Sequence, residues 1–150
     1  MFGLIKGFYT HYFSRPTYKI LIIGLDGAGK TSFLNLLKRQ NKQKYLPKEK
    51  IKTTVGLNLA KIDTDEYHLL FWDLGGKKML RSIWKKYYLD CHGIIYVIDG
   101  ADKPRLKEAV SCLKELTSKK DLENVPILIL LNKSDKKSTF CTMDEANELL

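Results

Sequence analysis

The run Gly24-Leu25-Asp26-Gly27-Ala28-Gly29-Lys30-Thr31 constrains this chain more than any other. It fits G-x-x-x-x-G-K-[ST], and its flanks are of the kind that pattern requires. Residues 18–23 before it are short, apolar and β-branched, and read as a buried strand. Residues 32–39 after it put Phe33, Leu36 and Leu37 on one face at helical spacing. Strand, glycine loop and helix together make a cradle for phosphate. Glycines allow the sharp turn that aims successive N–H groups inward. The start of the helix adds partial positive charge. Lys30 supplies a mobile cation for the outer phosphates and Thr31 a hydroxyl for Mg²⁺. The candidate phosphate-contacting residues are therefore Gly24, Leu25, Asp26, Gly27, Ala28, Gly29, Lys30, Thr31 and Ser32.

With 150 residues and 44% apolar content, one globular domain is expected. No apolar run reaches the ~20 residues of a membrane-spanning helix. The N-terminus lacks a secretory pattern. Cys91, Cys112 and Cys141 are far apart with no C-x-x-C, which favours reduced thiols over a disulfide frame or a zinc site. The net charge of +9 draws the chain toward polyanions. Much of it sits in one stretch, Lys38, Arg39, Lys42, Lys44, Lys48, Lys50 and Lys52, relieved only by Glu49. That stretch reads equally as a solvated loop or as a surface for anionic lipid. No recognition motif accompanies the charge, so nucleic acid is not expected as a partner.

Residues 1–14 form an amphipathic wheel. Met1, Phe2, Leu4, Ile5, Phe8, Tyr9, Tyr12 and Phe13 occupy one half. The segment is too short to span a bilayer and fits a helix packed on the core, a helix lying in a membrane interface, or each in turn. Arg15-Pro16 ends it. Phe2 stands where N-myristoylation needs glycine.

Residues 40–53 read as a long polar loop of the functional sort. Residues 54–63 and 67–73 read as an antiparallel strand pair across Thr64-Asp65-Glu66. Residues 93–99 and 125–131 read as buried strands. Between them, residues 103–118 read as a helix with Pro104 in its first turn and a stripe of Leu106, Val110, Leu113 and Thr117. Thr142-Met143-Asp144-Glu145 is a capping box opening a further helix. Strands alternating with helices predict an α/β fold with a mostly parallel sheet. Such sheets bind ligands at the carboxyl ends of their strands, where Asp73, Asp99, Asn132 to Asp135 and the glycine loop all fall.

Gly24 to Thr31, Thr54, Asp73-Leu74-Gly75-Gly76 and Asn132-Lys133-Ser134-Asp135 stand in the order of the small GTPases, which the chain resembles. Thr54-Val55-Gly56-Leu57-Asn58, Trp72-Asp73-Leu74-Gly75-Gly76 and the amphipathic N-terminus look like the Arf and Arf-like family. Tyr87-Tyr88 and Cys91-His92-Gly93 look most like its Arf-related branch. The resemblance implies a P-loop small G-domain over 16–150. Its sheet would be mostly parallel with one antiparallel edge hairpin, and it would be preceded by an amphipathic helix at 1–15. It implies GTP and GDP as ligands with Mg²⁺ as cofactor. Thr31 would bind the metal and Asp73 would hold it through water. Thr54 would reach metal and γ-phosphate, and Gly76 would sense that phosphate. Asn132, Lys133 and Asp135 would read guanine; a carboxylate at Asp135 accepts from guanine N1–H and the 2-amino group, which adenine does not offer there.

It further implies a monomeric GTPase recruited reversibly from cytoplasm to Golgi and trans-Golgi membranes in vesicle traffic. An exchange factor, a GTPase-activating protein and effectors would bind loops near 40–56 and 74–90, and residues 1–14 would meet the membrane. Three departures stand out. Lys77 replaces the glutamine that orients the attacking water, so hydrolysis is expected to be slow. Phe2 removes the lipid anchor, and an acetylated Met1-Phe2 terminus read by a Golgi membrane receptor would take its place. The family also continues past Leu150 with a strand and a helix. Alternatives are a GTP-holding scaffold without turnover, a degenerate fragment, or a P-loop small-molecule kinase.

Overall fold

The computed structural model describes residues 15–142 and 144–145. The amphipathic segment at 1–14 and most of the helix expected from Thr142 onward lie outside them. Thr142, Asp144 and Glu145 are described, and the capping box is reciprocal: Glu145 N–H donates to the Thr142 hydroxyl at 3.1 Å, and Thr142 N–H to the Glu145 carboxylate at 2.7 Å.

Among the described residues, five strands form one sheet: β1 (Thr17–Ile23), β2 (Leu57–Asp63), β3 (His68–Leu74), β4 (Gly93–Asp99) and β5 (Ile127–Asn132), in the order β2-β3-β1-β4-β5. Only β2 runs antiparallel to its neighbour. Strand β1 is central, and its last residues Leu21, Ile22 and Ile23 are fully buried because helices cover both faces. Helix α1 (Lys30–Gln40) packs Leu34 against Ile22, Phe71 and Val97 on one face. Helix α2 (Lys103–Thr117) packs Leu106, Ala109, Leu113 and Leu116 against Leu21, Ile23, Tyr96 and Ile98 on the other. Truncating Ile22 or Leu34 to alanine would cost about 2–5 kcal/mol. A run of 3₁₀ turns over Lys78–Asp90 buries Trp84 and Tyr88 beside α2.

Five details differ from the sequence reading. In α1 the inward residue is Leu34, while Leu36 is 48% exposed; Phe33 and Leu37 are only half-buried. In α2 the last inward residue is Leu116, and Thr117 is exposed. The first hairpin strand begins at Leu57 and not at Thr54. Gly56 takes a left-handed φ of 88°, which breaks the extended run, and its carbonyl accepts from Gly75 N–H. The loop at 40–53 contains a 3₁₀ turn, Lys48–Lys50. Strand β5 is an edge among the described strands and is not a buried strand: Leu128 and Ile129 are exposed. An unbroken apolar run cannot distinguish a central strand from an edge.

Candidate functional site

The carboxyl ends of β1, β3, β4 and β5 meet on one rim. The loop after β1 turns on Gly24, Gly27 and Gly29, all at positive φ. A side chain at Gly24 would place its first carbon 2.1 Å from the Val97 carbonyl, and one at Gly29 would meet Asn132 Nδ2 at 2.2 Å. The loop is therefore wedged between β4 and the turn after β5. It enters α1 with no side-chain cap, so the first backbone N–H groups of that helix are left for an anion.

Lys30 is buried and its ammonium donates to the carbonyls of Gly24 at 3.0 Å and Leu25 at 2.9 Å. Burial pulls its pKa down to about 8, against the opposing pull of Asp73 and Asp26. Thr31 Oγ1 donates to Asp73 Oδ2 at 2.6 Å and lies 2.8 Å from the Thr54 hydroxyl. A hydroxyl has one proton, so Thr54 donates to Thr31. Asn58 Nδ2 adds a long contact to Asp73 Oδ2 at 3.4 Å. Asp73 is fully buried, and its other oxygen, Oδ1, has no hydrogen-bond partner among the described residues. Burial raises the Asp73 pKa, partly offset by these hydrogen bonds and by Lys30.

This corner fits a hard divalent cation. Its donors are all oxygens, and one buried carboxylate oxygen is unsatisfied. Thr31, Thr54 and Asp73 would hold the ion, directly or through water, and it would supply charge neutralisation for adjoining phosphates. A cavity of about 180 Å³ adjoins it, lined by Asp26, Gly27, Gly29, Lys30, Thr31, Ser32, Thr54 and Gly76, together with residues 51–53. Gly76 lies against the loop so closely that an added Cβ would stand 2.3 Å from Gly24 O and 2.4 Å from Asp26 N. Its neighbours hold it there: Arg81 Nε donates to the Gly76 carbonyl at 2.8 Å and Trp84 Nε1 to the Gly75 carbonyl at 3.0 Å.

At the far end, Asn132 Nδ2 donates to Ala28 O at 2.8 Å. Lys133, at φ 67°, pairs with Asp99 at 2.6 Å. The turn after β5 is thereby fixed to both the loop and β4. Asp135 lies on that turn, exposed, beyond the cavity wall. Lys77 is exposed in extended backbone next to Gly76 and is not among the residues lining the cavity.

The structure thus brings the loop at 24–29, Lys30, Thr31, Ser32, Thr54, Asp73 and Gly76 to one rim, and leaves the Lys77 side chain outside the cavity lining. The sequence does not single out Ile51, Lys52 and Thr53 of the cavity wall, or Arg105, whose guanidinium pairs with Asp102 at 2.6 Å and reaches the Asp26 carboxylate at 3.4 Å. The i, i+3 spacing of Asp102, at the N-cap of α2, and Arg105 in its first turn was the available signal for that pair. The Asp26 contact joins residues 79 positions apart, and local spacing cannot show it.

Residues 6–150 match the model of the ADP-ribosylation factor (Arf) family. The ADP-ribosylation factor-related protein 1 of Rattus norvegicus is 44% identical over 96% of this chain and 73% of its own length. The ADP-ribosylation factor-like protein 3 of Saccharomyces cerevisiae is 44% identical with the same coverage. Among solved structures, the Arl6 BBS3 small GTPase from Trypanosoma brucei, determined with bound nucleotide analogue GppNp, superposes with a TM-score of 0.75. It shares 28% identity over 89% of this chain and 76% of that one.

Proposed function

The chain belongs to the Arf family, as a small GTPase of its Arf-related branch that binds GTP or GDP with Mg²⁺, and from that premise we propose a nucleotide-gated membrane switch of Golgi and vesicle traffic. The observation that carries the switch is the corner formed by Thr31, Thr54 and Asp73. Thr54 belongs to the segment before β2, not to the phosphate loop, and Gly76 belongs to the segment after β3. Both are docked on the loop at the place where a metal and terminal phosphate would sit. Losing the terminal phosphate removes the partner that holds them, and segments so released expose or withdraw a surface.

The β2–β3 hairpin lies between these two segments. In our reading it carries the change to residues 1–14, whose apolar half trades a protein groove for the bilayer. Regulators and effectors would read the loops near 40–56 and 74–90, and a Golgi receptor would read an acetylated Met1-Phe2 terminus. The resemblance to the Arf-related branch supports these finer steps.

Lys77 favours a second reading, a long-lived GTP state with slow turnover. An ammonium only donates, so it cannot accept from an attacking water. Chromatography of nucleotide extracted from the purified protein, with GTP and ATP competing for reloading, tests the guanine assignment. Preference for guanine that Asp135→Asn shifts toward xanthine supports it, and equal affinity for ATP and GTP rejects it.

A further inference from the structure

The arm that leaves α1 and returns toward Thr54 carries charge of nearly one sign. Lys38, Arg39, Lys42, Lys44, Lys48 and Lys50 are balanced locally by a single carboxylate, Glu49. Among the described residues, none of these six cations takes part in an ion pair.

The arm is nonetheless anchored. Gln43 Nε2 donates to the Lys61 carbonyl of β2 at 2.8 Å, and Leu46 N–H donates to Asn35 Oδ1 at 2.9 Å. Asn35 is buried on α1 and its amide donates in turn to the Thr31 carbonyl at 2.9 Å. Beside these anchors, Tyr45 and Leu46 remain 46% and 51% exposed, with Arg39 over the Tyr45 ring at 5.9 Å.

A loop that served only to stay hydrated would not hold an aromatic and an aliphatic side chain outward between lysines. A purely electrostatic contact with an acidic protein would not need them either. Cations that stay hydrated at headgroup level, beside apolar side chains that enter the interfacial layer, match an anionic bilayer. We propose that residues 42–50 are an anionic-lipid contact, with Lys42, Lys44, Lys48 and Lys50 at the headgroup phosphates and Tyr45 and Leu46 in the interface. The charge of the arm does not depend on nucleotide, so this contact acts in both nucleotide states. It is separate from the gated attachment proposed for residues 1–14.

The test is sedimentation of the full chain, loaded with GDP or GTP, on phosphatidylcholine vesicles with and without phosphatidylserine. The expected result is binding that favours phosphatidylserine in both states. It should fall at least about tenfold when Lys42, Lys44, Lys48 and Lys50 become glutamine. Leu46→Asp should weaken the salt-resistant remainder, with nucleotide content and melting temperature confirming that each variant is folded. Ile5→Glu with Phe8→Glu should remove only the GTP-dependent increment, which tests the switch reading independently. The proposal is overturned if the quadruple variant binds phosphatidylserine vesicles like the parent. It is also overturned if polyglutamate captures the parent as well as vesicles do and Leu46→Asp leaves both unchanged, which would make the arm an acidic-protein contact.

Discussion

Asp73 accepts the Thr31 hydroxyl at 2.6 Å through one carboxylate oxygen, while the other, equally enclosed, has no hydrogen-bond partner among the described residues. An unsatisfied buried polar atom costs roughly 1–3 kcal/mol. Burial also raises the Asp73 pKa by desolvating its charged form, a cost that a bound cation would offset. Asp73→Asn removes the charge that burial disfavours, so the melting temperature measured without Mg²⁺ should rise, by about 2–4 °C per kcal/mol in a chain of this size. The same variant should lose Mg²⁺-dependent GTP binding by about 10–100-fold. Calorimetric melting and nucleotide titration with and without Mg²⁺ read the two effects. Destabilisation combined with unaltered Mg²⁺ dependence would make Asp73 a structural residue only.

Lys30 gives a pH signature. Burial pulls its folded pKa down to about 8, whereas an unfolded lysine holds its proton to about pH 10.4. Between those values the unfolded chain binds more protons, so this group makes the nucleotide-free protein more stable as pH rises. Below the folded pKa, both states are protonated and the desolvation cost is fully present. A bound phosphate favours the ammonium, so above about pH 8 nucleotide binding should take up a proton and affinity should fall by up to about tenfold per pH unit. Calorimetry in buffers of different ionisation heat measures that uptake. Affinity that stays flat up to about pH 10 would remove Lys30 from the phosphate contacts.

Gly76 tests the docking of the second segment. Its missing Cβ would fall 2.3–2.4 Å from backbone atoms of Gly24, Leu25 and Asp26, none of which can rotate away. Gly76→Ala should push the segment off the loop. GTP affinity should drop at least about tenfold while GDP affinity changes little, because only the terminal phosphate needs the segment in place. Equal losses for both nucleotides would indicate damage to the loop itself.

The phosphate end of this site was legible because its signals are local. Glycines in a fixed pattern, a strand before them and a helix after them lie within residues 18–39, and each constrains the next. Asp73, Asp99 and Asn132 were also legible, as polar residues closing apolar strands. What periodicity could not resolve was which apolar residues face inward where spacing allows a choice. Leu36 lost to Leu34 because α1 lies against β2 and β3, and Thr117 lost to Leu116 because α2 lies over β4. The exposed face of β5 was illegible for a related reason: strand order is a long-range property, and an apolar hexamer reads the same at the centre of a sheet and at its edge. Arg81 and Trp84 were hidden too. Their contacts to Gly76 and Gly75 arise from 3₁₀ turns, whose spacing differs from the helical one.

Lys77 carries the last prediction. It stands one residue beyond Gly76, exposed, in extended backbone. In the family pattern the side chain at this position accepts from the attacking water and so places it for in-line displacement. Placement of a reacting group contributes several kcal/mol, and each ~1.4 kcal/mol is tenfold in rate. Lysine keeps the reach and loses the acceptor. Its charge also attracts the terminal phosphate already in the ground state, and binding realised before the transition state does not lower the barrier. The parent should therefore hydrolyse GTP slowly and stay long in its GTP state. Lys77→Gln should raise the rate stimulated by a GTPase-activating protein at least about tenfold, a barrier change of ~1.4 kcal/mol, in single-turnover measurements. Lys77→Met, which removes the charge without restoring an acceptor, should weaken GTP retention and leave turnover slow. If glutamine and methionine give the same stimulated rate, an acceptor elsewhere in the site places the water and Lys77 acts by its charge alone.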